Sequence, residues 1–352
     1  MPESAPINNI LEILKNRPPT LIVAHNNPDP DCIASCHALK YILYHALKLR
    51  TKIAYGGYIG RAENRAMVHH LKIDLINRSQ IRLPHYKYII LVDTQESSRN
   101  HINFSKNKNL IVIDHHPLRK KWKSTVFRDI RPEYGATSSI ITEYFRDLQM
   151  KMNPLIATGL YYGIKSDTLD FARAHTMHDF EAFRELFPII KNHILSKILH
   201  PSVPISYFTS FANAVQNTKV YGKTVIIPLG EIKYPDMVAE VADTFLQLEK
   251  ITWVFCYGVY KSELNISLRT KSRKKNAGII IKKIAGKLGA CGGHEMSAAA
   301  QIPLEQSSKT LEDLMQNILT QYLKLIGIKF LTGVFLMQRD NQTVQQSPEI
   351  QH

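Results

Sequence analysis

LIVAHNNPDPD, residues 21–31, runs from four apolar residues directly into a loop that carries one histidine and two aspartates. Leu21 to Ala24 predicts a buried strand, His25 to Pro30 a loop, and the apolar spacing from Asp31 to Leu47 a helix. The same alternation recurs in TKIAYGG (Thr51 to Gly57), a helical stretch from Glu63 to Leu71, YIILVD (Tyr88 to Asp93) and LIVID (Leu110 to Asp114). Continuous apolar strands alternating with helices predict an α/β fold, a parallel sheet covered on both faces. His25, Asp93 and Asp114 with His115 then fall at the carboxyl ends of strands, where open α/β sheets bind ligands.

Around this core, Asn8 to Lys15 predicts a short helix stopped by Pro18-Pro19. Gly135 to Phe145 and Leu155 to Lys165 predict two more helices, the second delivering Asp167, and Phe180 to Leu199 predicts a helix pair. The pattern changes after His200 to Pro204. Lys223 to Leu229, Thr252 to Tyr260 and Glu263 to Thr270 read as strands, and Met237 to Leu248, Ala277 to Leu288 and Ser308 to Ile326 as helices. Only Lys261 and Ser262 separate two of these strands, which requires antiparallel pairing in a mixed sheet. The expected organisation is a first domain over 1–185, a helical linker over 186–206, a smaller α/β domain over 207–330 and a polar, Gln-rich tail over 331–352. The expected active site lies in the cleft between the two domains.

At 352 residues with 44% apolar content, the chain suits two hydrophobic cores and excludes a disordered or fibrous class. A formal charge of +15 favours polyanionic partners, although Lys and Arg are scattered along the chain. The four cysteines, Cys32, Cys36, Cys256 and Cys291, form no CxxC pair and no disulfide framework, which points to a reducing compartment. Cys32 and Cys36 read as buried small hydrophobes, not zinc ligands. No apolar run of about 18 residues is present and the N-terminus lacks a leader pattern. A cytoplasmic protein without membrane insertion is the expectation.

Four segments carry the chemistry. His25, Asp29 and Asp31 come from the first, Asp93 from VDTQ, Asp114, His115 and His116 from IDHHP, and Asp167 from KSDT. Any one such acid reads as a cap or turn former. Gathered in one crevice their charges would repel unless cations neutralised them. Carboxylates and imidazoles without thiolate suit manganese or magnesium ahead of zinc or iron, and so many donors exceed the needs of one ion. Two ions about 3.5 to 4 Å apart suit in-line hydrolysis of a phosphoester or phosphoanhydride. His69, His70, His175 and His178 lie outside this pattern and read as solvent-facing or hydrogen-bonded.

HNNPDPDCIAS, LVDTQESSR, VIDHHP and GIKSDTLDF resemble, in order, the four motifs of the DHH phosphoesterase superfamily, and GACGGHEMSAAA after NISLRTK resembles the Gly-Gly-His segment of its C-terminal DHH-associated domain. The chain is most similar to the branch of nanoRNases, phosphoadenosine-phosphate phosphatases and cyclic-dinucleotide phosphodiesterases, which are manganese-dependent. The resemblance implies that His25, Asp29 and Asp93 hold one metal, and that Asp31, Asp93, His115 and Asp167 hold the other, with Asp93 bridging. His116 would contact the scissile phosphate or protonate the leaving group while Asp114 orients its neighbours. Gly292, Gly293 and His294 would receive the substrate's terminal phosphate or base, and Arg269 would pair with a phosphate.

Two departures bear on substrate. Ala290-Cys291 precede Gly292 where the superfamily often has small residues only, and Ala298 to Ala300 stand where it has an AAG. Ser272 to Lys275 (SRKK) is also similar to a signature of the DHH-type inorganic pyrophosphatases, but it lies ahead of a Gly-Gly-His segment those enzymes lack and reads as a basic loop. The expected function is that of a two-metal phosphodiesterase or phosphatase, exonuclease-like, acting on short oligoribonucleotides or on small nucleotides such as pAp or linear and cyclic dinucleotides. An inorganic pyrophosphatase and a non-catalytic nucleotide- or RNA-binding regulator are the alternatives, and a homodimer is compatible with the sequence.

Overall fold

The apolar runs of the first half become neighbouring strands of one sheet, all of them parallel. The structure, a computed structural model describing residues 5–98, 100–172, 175–293, 295–304, 310–328 and 332–338, divides into two units, Met1–Ser202 and Val203–His352.

In chain order the first unit contains α1 (Pro6–Leu14), β1 (Thr20–Ala24), α2 (Pro30–Leu47), β2 (Lys52–Tyr55), α3 (Ala62–His70), β3 (Leu75–Asn77), β4 (Tyr88–Val92), β5 (Asn109–Asp114), β6 (Thr125–Ile130), α4 (Thr137–Asp147), α5 (Pro154–Asp167), α6 (Met177–Leu186) and α7 (Asn192–Leu199). The strand order is β3-β2-β1-β4-β5-β6. Because side chains alternate across a strand, Ile22 and Ala24 enter one core while Leu21 and Val23 enter another on the opposite face. The first core is built with α1, α2, α4 and α5, whose Ile10, Leu39, Tyr144 and Leu160 are fully buried. The second face is covered as well, but by short segments and not by α-helices. Ile81, Leu83 and Ile102 cover it, with Phe104 and Trp122 packed against them, all from turns, extended connections and, for Leu83, one turn of 3-10 helix.

In the first unit two strands escaped the sequence reading. β3 has three half-buried residues at a sheet edge. β6 carries Arg128 and Asp129 in its middle, and these break the apolar run. Both charges are paired: Arg128 with Glu96 (2.5 Å) and Asp129 with Arg131 (2.8 Å), so their burial is compensated.

The second unit contains α8 (Ile205–Asn217), β7 (Lys219–Tyr221), β8 (Thr224–Glu231), α9 (Met237–Phe245), β9 (Trp253–Tyr260), β10 (Glu263–Thr270), α10 (Ala277–Ala285), β11 (Ala290–Gly293), β12 (Ser297–Pro303), α11 (Leu311–Ile326) and β13 (Val334–Phe335). Its sheet has the order β11-β12-β10-β9-β8-β7-β13 and is mixed: β8 and β9 are parallel, while β9 and β10 are antiparallel through the Lys261-Ser262 turn.

Two boundaries differ from expectation. Residues 186–206 are not a separate linker: α7 buries Leu195 and Ile198 in the core of the first unit, and α8 begins the second. The expected tail from 331 opens with β13, whose Val334 and Phe335 pair with Val220 and Lys219 on β7. Residues 339–352 lie outside the described residues.

A candidate metal centre

Strand register brings the acidic segments together. Ala24 pairs with Val92 and Val92 with Ile113, so the next residues, His25, Asp93 and Asp114, stand side by side at the carboxyl edge. β1 and β4 are neighbours while β2 lies on the other side of β1, so the chain reverses direction across the sheet at this point, a crevice open sheets offer to ligands. Asp93 takes a left-handed conformation (φ 59°) although it is not glycine, and its N–H donates to the Ile113 carbonyl (2.9 Å). Such backbone strain in a buried side chain's residue is a recurrent property of functional positions.

The remaining groups arrive from helix ends. Asp29 caps α2, its Oδ1 accepting the Cys32 N–H at 3.0 Å. Asp31, in the first turn of α2, is 1% exposed, and its two oxygens accept the N–H groups of Thr137 and Ser138 at 2.7 Å each. A carboxylate on the start of α4 is favoured by the unpaired amides and the helix dipole there. Thr137 Oγ1 also donates to Asp93 Oδ1 (2.9 Å), so one turn holds two of the acids. Asp167 ends α5 and its Oδ2 lies 3.1 Å from His115 Nε2. The chain then leaves through Leu169, Asp170 and Phe171, three consecutive left-handed residues.

The histidines are aimed by their other ring nitrogens. Nδ1–H of His25 donates to the Asn26 carbonyl (2.9 Å), and that of His115 to the Tyr134 carbonyl (3.1 Å). In each ring this leaves Nε2 toward the acids: His25 Nε2 is 3.6 Å from Asp29 and 3.5 Å from Asp93, and His115 Nε2 is 3.5 Å from Asp93. His115 Nε2 is buried and has no hydrogen-bond partner among the described residues. A nitrogen lone pair facing carboxylates is untenable unless a cation, proton or metal, lies between them. The protonation preferences agree. Burial opposes the imidazolium at His25 and His115, yet their neighbours, Cys32, Asp29 and Asp93 around His25 and Asp167, Asp93 and Asp31 around His115, hold both well above the ordinary histidine range. Burial, with the charges of its neighbours, raises Asp31 well above the usual carboxylate range, and burial also raises Asp93. The donor set therefore fits divalent cations: Asp93, His115 and His116 form one cluster of potential ligand atoms, and Asp31, His115 and Asp167 another.

A third cluster joins His25, Cys32 and Asp93. Cys32 is fully buried and its thiol donates to the Val92 carbonyl (3.4 Å); burial pushes its pKa well up, so it stays a neutral thiol and a poor ligand. Cys36 is equally buried, as expected of a small hydrophobe.

His116 stands apart. Its Nδ1 donates to Asp114 Oδ1 (2.9 Å), and this bond raises its pKa. Asp114 Oδ2 accepts from Gln95 Nε2 (2.7 Å), so Asp114 is committed on both oxygens to orienting side chains. Sequence reasoning missed Gln95, Tyr134, Thr137 and Ser138. It also missed Gly163, where a Cβ would overlap Ser138 Oγ and stand 3.2 Å from Asp31 Cα. The Thr-Ser-Ser run opening a helix and the glycines four apart in α5 were signals available for the last three. Of the histidines outside the pattern, exposed His178 stacks on Tyr134 (4.7 Å, 13°).

In the second unit Gly292 and Gly293 are exposed in β11, paired with Ala299 and Ala298. Gly293 (φ 154°) leaves no room for a Cβ against Ala298, whereas Gly292 faces open space. His294 lies outside the described residues. Arg269, in β10, donates from Nε to Asp243 (2.6 Å) and from Nη1 to the Leu268 carbonyl (3.1 Å).

Comparison with known proteins places this geometry. The family model for the DHH family, N-terminal domain, matches residues 19–164, and that for the DHHA1 domain matches residues 217–321. An uncharacterized protein of Methanocaldococcus jannaschii is 38% identical over 322 residues, covering 90% of this chain and 66% of its own length. The chain thus spans about two thirds of that relative. The bifunctional oligoribonuclease and PAP phosphatase NrnA of Mycoplasma genitalium is 22% identical over 334 residues, covering 89% of this chain and 98% of its own. Among solved structures, an exopolyphosphatase-related protein from Bacteroides fragilis superposes with a TM-score of 0.70 at 16% identity, covering 92% of this chain and 96% of that one.

Proposed function

This chain belongs to the DHH superfamily of phosphoester hydrolases, carrying both the DHH and the DHHA1 domain, and from that premise we propose that it uses two divalent cations, manganese in preference to magnesium, to cleave phosphate esters of short oligoribonucleotides or small nucleotides. The observation that carries the reading is the buried His115 Nε2 without a hydrogen-bond partner, set between Asp93 and Asp167. His25, Asp29 and Asp93 would hold one ion, and Asp31, Asp93, His115 and Asp167 the other. Ions bound there supply charge neutralisation for a phosphoryl group and activation of water near neutral pH.

The chain's own groups do the rest. The amides of Thr137 and Ser138 keep Asp31 in place, and the Thr137 hydroxyl does so for Asp93. Asp114 fixes the His116 tautomer, leaving Nε2 as the position from which a proton reaches the departing alkoxide. The raised pKa of His116 suits an acid near neutral pH. In the second unit the open space at Gly292 and the backbone of Gly293, with His294, would receive a terminal phosphate or base. Arg269 would meet a phosphate while still held by Asp243.

NrnA resembles this chain over nearly its whole length, which supports nucleotide substrates over pyrophosphate. The test is product analysis on a dinucleotide, pAp, a cyclic dinucleotide and pyrophosphate with Mn²⁺. Mononucleotide or AMP release, abolished in Asp93→Ala, is expected. Pyrophosphate cleaved far faster than the nucleotides selects the pyrophosphatase, and tight nucleotide binding with all four substrates intact selects a binding regulator.

A further inference from the structure

The polypeptide between Glu96 and Asp129 contains one acidic side chain, Asp114, and eight Lys and Arg. Five of these cations lie in two connections on one side of the first unit: Lys106 in one, and Arg119, Lys120, Lys121 and Lys123 in the loop that leaves His116. All five are exposed, and none forms an ion pair among the described residues.

Exposed loops are ordinarily free to vary; this one is pinned by buried groups. Gln95, 1% exposed, accepts the Arg119 N–H on Oε1 (2.7 Å) and donates from Nε2 to the carbonyls of His116 (3.2 Å) and Pro117 (3.1 Å). Glu96, also 1% exposed, accepts the Trp122 N–H (3.1 Å) and the Thr125 hydroxyl (2.7 Å). Arg128, held by Glu96, donates to the Arg119 carbonyl (3.2 Å). The backbone is thus fixed at 116, 117, 119 and 122, the Thr125 side chain anchors the far end, and the cations project from a rigid support. Gln95 Nε2 also binds Asp114, the residue that orients His116, so the loop and the crevice are one side chain apart.

We infer that Leu118 to Lys123, with Lys106, binds the phosphate backbone of a nucleic-acid strand continuing beyond the cleaved linkage, so that the enzyme takes oligonucleotides of several residues in preference to a dinucleotide or pAp. This presupposes the hydrolase described above and names its substrate class. Separate cations on a fixed backbone suit a row of phosphates, and fixing them in advance lowers the entropic cost of binding. An anionic membrane surface is the other polyanion to weigh, but Trp122 packs on Phe104 (5.9 Å) and His101 (6.4 Å) beneath the loop, leaving Leu118 as its single exposed large apolar group.

The test compares the full chain with a loop variant, Lys120→Ser/Lys121→Ser/Lys123→Ser, and a control, Lys52→Ser/Lys72→Ser/Lys151→Ser, whose lysines are exposed elsewhere on the first unit. Values of kcat/KM are measured for a 5′-phosphorylated dinucleotide and hexanucleotide with Mn²⁺ at 50 and 200 mM salt. On single strands each phosphate contact is worth about fivefold at 0.1 M salt, so the loop variant should lose at least tenfold, and up to about a hundredfold, of the preference for the hexanucleotide. Its salt dependence for the hexanucleotide should flatten, and the control should match the wild type. An unchanged preference in the loop variant, or an equal loss in the control, overturns the inference. So does loop-dependent cosedimentation with anionic phospholipid vesicles without any loss of hexanucleotide preference. Should neither length be cut, the hydrolase reading fails. Fluorescence anisotropy with labelled hexanucleotide then decides the loop: weaker binding by the loop variant upholds it, and unchanged binding overturns it.

Discussion

Gly163→Ala adds one methyl group where α5 crosses the start of α2. The new Cβ would overlap Ser138 Oγ and stand 3.2 Å from both Cα and Oδ1 of Asp31, closer than the 3.4–4 Å of ordinary contact. Asp31 must yield by a few tenths of an ångström and the Ser138 hydroxyl by about 1 Å. Overpacking of this kind costs about 1–3 kcal/mol, and the better helix propensity of alanine returns about 0.5–1 kcal/mol, so the net destabilisation is about 0–2.5 kcal/mol and the fold survives. The site is less tolerant. Asp31 is gripped at 2.7 Å by the amides of Thr137 and Ser138, so the displacement reaches the carboxylate directly. Loss of such support around a metal ligand lowers affinity about 10- to 100-fold. Calorimetric titration with Mn²⁺, alongside a melting curve without metal, separates the two effects. Adding Ser138→Ala should restore affinity in part, since it removes the outright overlap but not the 3.2 Å contacts. Wild-type Mn²⁺ affinity and turnover in Gly163→Ala would refute the claim that this glycine sets the position of Asp31.

Metal binding should release protons. Burial and neighbouring charges hold Asp31 and Asp93 above their ordinary range, and neighbouring groups hold His25 and His115 well above theirs despite burial, so a divalent ion must displace protons near neutral pH. Calorimetry in buffers of different ionisation enthalpy should show the release, with affinity falling as pH is lowered; a pH-independent affinity contradicts it. Thr137→Val removes the hydroxyl that donates to Asp93 (2.9 Å) and should cost about 1.5–3 kcal/mol in chemical denaturation, with a matching fall in Mn²⁺ affinity. Glu143 is pushed up by burial, but hydrogen bonds from Tyr134 (2.6 Å) and Arg131 (2.8 Å) hold it below its ordinary value of 4.5. Its folded pKa is the lower one, so it stabilises the fold above pH 4.5 and that stability is lost as pH falls through the folded value. Tyr134→Phe should flatten the acid limb of a plot of stability against pH, and an unchanged limb would show that the bond carries no stability.

The site was more legible in the sequence than its support. Apolar strands of four to six residues ending in Asp or His announce a parallel sheet and a loaded carboxyl edge, because both properties are local to each segment. Gln95, Tyr134, Thr137 and Ser138 act through the main chain or from distant segments: Thr137 lies 106 positions from Asp31, and its contribution is an amide, which no residue type reveals. β6 was hidden for a related reason, since Arg128 and Asp129 look like surface charges until Glu96 and Arg131 are seen beside them. The helical linker failed because α7 is apolar on one face and that face packs on its own unit.

Anomalous diffraction at the manganese edge, from crystals grown with Mn²⁺, is the most direct measurement of the central claim. Two peaks about 3.5–4 Å apart are predicted, one among His25, Asp29 and Asp93, the other among Asp31, Asp93, His115 and Asp167, with Asp93 shared. No peak in the crevice at saturating metal, or a single peak that Asp93 does not touch, would contradict it.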